Sequence, residues 1–242
     1  RLRGDGMRRF ATIVAISALV VCGLATVPAH ADTAPPPPNA IISEGNGAAV
    51  FIGYGDDKFV ALSWTPSKQY EAATMLYQVQ RSDGAMLVSK TSASSLKDIN
   101  LLPNTSYGYI LTVYKSIKKE VTIQSGPSKG QKITRTVTKR VGRNSINVLT
   151  LPSMVVGLIS PAKTPTSITL AWQAPQYTAN PVTYSVIVDG NVMAYGLTTG
   201  GFQVNGLESG KTHSVTVLTE NASGAAKNNA DLSIALPKPT TP

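Results

Sequence analysis

Few side chains in this sequence could do chemistry. Histidine occurs twice, at His30 and His213, and cysteine once, at Cys22. His30 and Cys22 both fall in a segment expected to be removed on export. A serine-type triad would need His213 as base, a carboxylate to orient it and an activated hydroxyl beside it. No Gly-x-Ser-x-Gly turn is present to supply that hydroxyl. Without Cys22 the remaining chain has no thiol nucleophile, no disulfide and no Cys-based metal site.

Other candidates fail on spacing or on ligand number. Asp56-Asp57 in Gly53-Tyr54-Gly55-Asp56-Asp57-Lys58 is the best local carboxylate cluster. A hard cation commonly takes about 6–8 oxygens, so two carboxylates beside a lysine read as an exposed turn. Gly206-Leu207-Glu208-Ser209-Gly210-Lys211-Thr212 ends like a phosphate-binding loop. That motif needs glycine at 205, where the residue is Asn205, and it must open a helix whose amides hold the phosphates. His213-Ser214-Val215-Thr216-Val217 follows instead, with the alternation of a strand. No nucleotide, cofactor or metal is therefore expected. Tyr54, Tyr70, Tyr177 and Tyr195 are the aromatic residues left to stack on a sugar, because Trp64 and Trp172 belong to core strands. With no paired acids set in aromatic-rich sequence, the chain is expected not to be an enzyme.

The elements around these residues are short runs of Val, Thr, Ser, Ile and Tyr, punctuated by Gly, Pro, Asn and Asp. Charged residues are only 14% of the 242. This is the composition of all-β structure. Residues 1–31 read as a signal peptide with upstream residues: Met7, then Arg8-Arg9, an apolar run, and Ala29-His30-Ala31 with cleavage before Asp32. No basic stop-transfer cluster follows, so no stable membrane span is expected after cleavage. Residues 32–40 hold Pro35-Pro36-Pro37-Pro38, a polyproline spacer. Residues 237–242 form a Pro/Thr tail.

Between them lies an internal repeat. Val60, Leu62 and Trp64 alternate with polar or small residues, as do Ile168, Leu170 and Trp172. A second strand follows in each copy, Tyr77–Arg81 and Tyr184–Val188, running into Asp83-Gly84 and Asp189-Gly190, both strong hairpin signals. A third match pairs Leu101-Leu102-Pro103-Asn104-Thr105-Ser106-Tyr107 with Leu207-Glu208-Ser209-Gly210-Lys211-Thr212-His213. Closing segments are Ser125-Gly126-Pro127-Ser128 and Asn221-Ala222-Ser223-Gly224.

This constellation resembles the fibronectin type III family. The resemblance implies two tandem immunoglobulin-like β-sandwiches, at residues 41–138 and 156–236, joined by a basic and apolar linker at 139–155. It gives Trp64 and Trp172 structural roles in the cores. It makes Tyr107 the tyrosine of a corner whose hydroxyl bonds back to the backbone, with Asn104 in a glycine place. His213 takes the same tyrosine place in the second copy, so its role is structural rather than catalytic.

Charge is concentrated in one stretch. Residues 115–143 carry Lys115, Lys118, Lys119, Lys129, Lys132, Arg135, Lys139, Arg140 and Arg143 against Glu120 alone, a net +8. Lys118 and Lys119 are expected at the tip of the last hairpin of copy one, Lys132 and Arg135 on its final strand, and Lys139, Arg140 and Arg143 in the linker. Lysines on edge strands can simply oppose sheet aggregation. The alternative is a docking patch for a polyanion: an anionic cell-wall polymer, membrane headgroups or nucleic acid. The chain is thus expected to be a secreted binding, adhesion or spacer protein with a protein or polysaccharide ligand at the cell exterior. Two alternatives are an accessory portion of an extracellular polysaccharide-degrading enzyme and a polyanion-binding surface protein using residues 115–143.

Overall fold

A computed structural model describes residues 40–44 and 48–239. The expected signal peptide, its cleavage site, the proline run and the last residues of the Pro/Thr tail lie outside the described residues. The first module contains β1 (Ile41–Ser43), β2 (Ala49–Gly55), β3 (Phe59–Pro66), β4 (Met75–Arg81), β5 (Met86–Thr91), β6 (Ser95–Ile99), β7 (Ser106–Thr122) and β8 (Lys132–Leu149). The second contains β9 (Val156–Lys163), β10 (Ser167–Gln173), β11 (Thr183–Val188), β12 (Asn191–Leu197), β13 (Gly201–Asn205), β14 (Thr212–Asn221), β15 (Gly224–Ala225) and β16 (Ala230–Ala235).

Each module packs two antiparallel sheets face to face. In the first, β1-β2-β3-β6 lies against β5-β4-β7-β8. In the second, β13-β10-β9 lies against β12-β11-β14, and both β15 and β16 pair with β14. Alternation decides which residues face inward, because successive side chains of a strand point to opposite faces. Phe51, Val60, Leu62 and Trp64 thus meet Tyr77, Val79, Tyr109, Leu111, Val113, Ile146 and Val148 in the first core. Ile168, Leu170 and Trp172 meet Tyr184, Val186, Val188, Val215, Val217 and Ile234 in the second. Both tryptophans are buried, as expected, and each packs on the tyrosine of the next strand at 5.7 Å (Trp64–Tyr77) and 5.6 Å (Trp172–Tyr184). Trp64 Nε1 donates to the Ala93 carbonyl at 2.9 Å.

The two hairpins signalled by Asp-Gly form where expected. In the second, Asp189 (φ 49°) and Gly190 (φ 81°) both adopt the left-handed backbone that a two-residue turn requires. A buried polar group ties the sheets of module one together. Asp98, 8% exposed, accepts from the Tyr109 hydroxyl at 2.9 Å and pairs with Arg81 at 3.0 Å. Burial, and next the Asp98 carboxylate, push the Tyr109 hydroxyl far above its ordinary pKa.

The structure differs from the expected boundaries at one place. Residues 139–149, expected in a linker, are the second half of β8, paired with β7 from Lys115↔Lys139 to Ser106↔Leu149. Asn144, Ile146 and Val148 face inward there, and Asn144 donates to the Ser43 and Ala49 carbonyls. The buried asparagine and the basic residues before it hide the period of two. The connection between modules is therefore only Thr150–Val155, and it is packed: Thr150, Leu151, Pro152 and Val155 are buried. A chain ending at residue 138 would lose Ile146 and Val148, about 2 kcal/mol of burial each, and the partner of the Ser106–Lys115 part of β7. Residues 41–138 alone should give no cooperative thermal transition by circular dichroism, whereas 41–151 should. A sharp melt of the shorter chain would restore the earlier boundary.

Candidate functional site

The basic stretch forms an arm. β4 pairs with β7 from Arg81↔Tyr109 to Met75↔Lys115, and beyond Lys115 only β8 accompanies it. Ser116–Thr122 and Lys132–Thr138 therefore project as a two-stranded ribbon, about 24 Å at 3.4 Å per residue. Its tip is Ile123–Gln131, where the Ile123 N–H donates to Gln131 O and the Gly130 N–H to Ile123 O. Lys118 and Lys119, expected at the tip, stand instead along the arm, opposite Thr136 and Arg135. Lys129 is the cation at the tip. The Ser125–Ser128 segment, expected to close the module, is part of this tip.

Register sorts the cations onto two faces, because directly opposed residues share a face. One face carries four successive rows: Lys115/Lys139, Ile117/Val137, Lys119/Arg135 and Val121/Ile133. The other carries Tyr114/Arg140, Ser116/Thr138, Lys118/Thr136, Glu120/Thr134 and Thr122/Lys132. Arg143, opposite Thr112, lies at the arm's base on the second face. Glu120 pairs with Lys132 at 3.6 Å. Lys90 adds a charge to the second face, 5.3 Å from the Tyr114 ring and 3.3 Å from Thr138 Oγ1. The nine predicted cations are thus not one patch: Lys115, Lys119, Arg135 and Lys139 gather on one face. The four aliphatic residues between them do not show in the charge pattern of the sequence. Lys115-x-Ile117-x-Lys119-x-Val121 and Ile133-x-Arg135-x-Val137-x-Lys139 are the signal that shows them.

The opposite end of β7 begins at the joint between modules, and both modules lie within one compact unit. Asn104 is fully buried there with φ 48°, the conformation glycine would supply. Its Nδ2 donates to Asn180 O at 2.7 Å and Tyr177 O at 3.1 Å, and its Oδ1 accepts from Asn221 Nδ2 at 2.9 Å. Asn180 Nδ2 returns a bond to Asn104 O at 2.8 Å, and Asn221 Nδ2 also reaches Thr150 O at 2.8 Å. Lys227 of module two pairs with Asp56 of module one at 3.0 Å. Burial works to raise the Asp56 carboxyl, but hydrogen bonds from Asp57 and Lys227 outweigh it and hold the group below the usual carboxylate range. The Asp56-Asp57 segment, expected as an exposed turn, is half of this ion pair, with Asp56 6% exposed. Of the four tyrosines considered for sugar stacking, only Tyr195 is exposed.

The same corner occurs in both modules, five residues deep. The Leu102 N–H donates to the Tyr107 hydroxyl at 2.8 Å. In module two, His213 Nε2–H donates to Glu208 O at 3.0 Å, and Nδ1–H donates to Asp189 Oδ2 at 2.6 Å. Two facing sheets of this order, closed by such a corner, are the sandwich architecture of immunoglobulin and fibronectin type III domains. Both modules have a fibronectin type III-like fold. Solved structures similar to the chain include a human fibronectin type III domain (16% identity, TM-score 0.33, covering 38% of this chain and 91% of that one). A two-domain fibronectin type III segment of chicken tenascin is 12% identical with TM-score 0.38, covering 81% and 97%. A Yersinia enterocolitica exopolygalacturonase is 18% identical with TM-score 0.31 over 36% of this chain and 21% of the enzyme. No family model and no curated protein matches the chain.

His213 thus does in the second fibronectin-like module what Tyr107 does in the first, but with a charge. Both of its acceptors lack a proton to give, so the imidazolium fits the site. The bond to Asp189, then that to Glu208 O, raises the His213 pKa above its usual value, and the bond from His213 lowers that of Asp189. A raised histidine stabilises the fold fully below its unfolded value of about 6.5 and loses that contribution as pH rises through the folded value. The depressed carboxylate loses its contribution as pH falls below about 4. The melting temperature should therefore be flat between those limits and fall by a few degrees towards pH 8. His213→Tyr should flatten the alkaline side in differential scanning calorimetry; an unchanged slope would remove the imidazolium.

The junction gives a second expectation. Asn104→Ala loses three side-chain hydrogen bonds and strains the backbone, for about 2–4 kcal/mol, whereas Asn104→Gly keeps the backbone and costs about 1–3 kcal/mol. Urea unfolding of both variants measures the two contributions. Equal stability of wild type and Asn104→Ala would show that the modules are not held by this group.

Proposed function

We propose that this is an extracellular, non-enzymatic binding protein whose two firmly joined fibronectin type III-like modules hold out a cationic hairpin as the binding element for a polyanion. The signal-peptide pattern before Asp32 supports the extracellular location. Among the described residues no helix is long and apolar enough to cross a membrane.

One observation carries the assignment. Lys119 stands directly opposite Arg135 on one face of an arm that projects beyond the sheet, and Lys115 stands opposite Lys139 at the root of that face, where β4 still pairs with β7. Like charges directly opposed across a ladder are destabilising, by roughly 0.2–1 kcal/mol a pair. Protection against edge pairing needs charge on a strand but no such rows. It could be met by the dispersed cations of the other face, where Lys118 opposes Thr136 and Lys132 reaches Glu120. An extended anion laid along the first face would relieve the repulsion of both rows at once; the rows lie about 14 Å apart, beyond the roughly 10 Å screening length of ordinary salt, so a small anion would meet only one of them.

Residues 32–242 should bind a heparin column, with elution at high salt. A Lys115/Lys119/Arg135/Lys139→Ala variant should elute much earlier, and its plot of log affinity against log salt should flatten by about one unit per contacting cation lost. A Lys118/Arg140/Arg143→Ala variant should change elution less. Identical elution of wild type and the first variant would sink the assignment.

A further inference from the structure

Resting on the polyanion role assigned above, we propose that the partner of the arm is the surface of an anionic lipid bilayer, met by the Lys115–Val121 and Ile133–Lys139 face.

The rows between the cations decide among anions. Ile117 is 37% and Val137 36% exposed, and Val121 and Ile133 are half-buried on the same face. A single-stranded nucleic acid is commonly held by aromatic platforms on which bases stack, and a polymer held by charge alone makes no use of aliphatic rows. This face has no aromatic residue among its eight positions. A bilayer surface offers both things that the rows match: a plane of negative headgroups and, a few ångströms deeper, an apolar boundary. Binding there grows with buried apolar area together with attraction to anionic lipid. Lysine and arginine stems are long enough to keep their charges at headgroup level while shorter aliphatic neighbours sit below it.

Geometry favours the same partner. Beyond Lys115 no strand other than β8 pairs with β7, and Ile117 and Val137 of this face remain exposed. A second copy is a poor occupant, since face-to-face pairing would oppose the Lys115/Lys139 and Lys119/Arg135 rows of one copy to those of the other. The opposite face, rich in Ser116, Thr122, Thr134, Thr136 and Thr138, is polar and would remain in water. The ribbon is therefore two-sided, which suits an element lying flat on an interface.

The test uses residues 32–242, which keep every described strand. Wild type is expected to co-sediment with phosphatidylglycerol-containing vesicles and not with pure phosphatidylcholine vesicles. Replacing Ile117, Val121, Ile133 and Val137 with threonine keeps the β-branched shape and all charges. That variant should elute from heparin as wild type does, which also reports an intact arm, yet bind the anionic vesicles about tenfold more weakly. The Lys115/Lys119/Arg135/Lys139→Ala variant should lose both activities. Undiminished vesicle binding by the threonine variant would overturn the bilayer as partner while leaving the polyanion role standing; failure of wild type on heparin would remove that role itself. A single tryptophan gives an independent readout. Val121→Trp emission should shift to the blue on anionic vesicles and Thr134→Trp emission should not, and equal shifts would contradict the proposed orientation.

Discussion

The ladder between β7 and β8 is the constraint on which the outer features of module one depend. β7 supplies Tyr109, Leu111 and Val113 to the core and then continues as Lys115, Ile117, Lys119 and Val121. Because side chains alternate along a strand, the face that the core fixes at Val113 also fixes the face of the arm. A slip of one residue would carry the whole set of cations and aliphatics to the other side. On β8 the inward residues are even-numbered as far as Gly142, which opposes Val113, so an unbroken ladder would set Arg140 opposite Lys115. The irregularity at that point, with Val141 as the extra residue, switches the parity and places Lys139, Val137, Arg135 and Ile133 on the matching face. A bulge at the root of the arm thus joins core packing to surface chemistry.

An isolated two-stranded ribbon is marginal in water. The arm has two local supports. Thr122, Thr134, Thr136 and Thr138 favour extended backbone on one face, and the Ile117/Val137 and Val121/Ile133 pairs contribute roughly 0.2–1 kcal/mol each on the other. The Lys119/Arg135 row works against them by a similar amount. The aliphatic rows therefore have a structural share as well as a place in binding.

Much of the fold could be read from the sequence, because the residues that specify it are local. Val60-x-Leu62-x-Trp64 and its counterpart at Trp172 are strands by alternation alone, and Asp189-Gly190 is a turn by backbone preference alone. The Tyr107 corner was legible because its bond closes over five residues. What could not be read depends on partners far along the chain. Asn144 looks like a break in β8 until its bonds to Ser43 and Ala49 are seen. Asp56-Asp57 looks like a solvated turn until Lys227, far along the chain, reaches it. The basic stretch was legible as charge, but its division into two faces follows from a register that single-strand patterns do not contain.

The two modules share a topology but could not exchange their hairpins. β7 begins at the joint, beside Asn104 and Thr150, and runs away from it, so its far end meets open solvent. β14 runs towards the joint and ends at Asn221, whose side chain bonds Asn104 and Thr150 of the preceding module. The turn after it, Asn221–Gly224, lies close to Leu151, with the position of a Gly224 Cβ 3.5 Å from that side chain. An arm as long as that of module one, grown from this turn, would have to displace the polar cluster that joins the modules. Loss of those bonds would leave Asn104, fully buried in a left-handed conformation, without partners. The position of the long hairpin is thus tied to the order of the modules: only the leading module can extend it without breaking the joint between them.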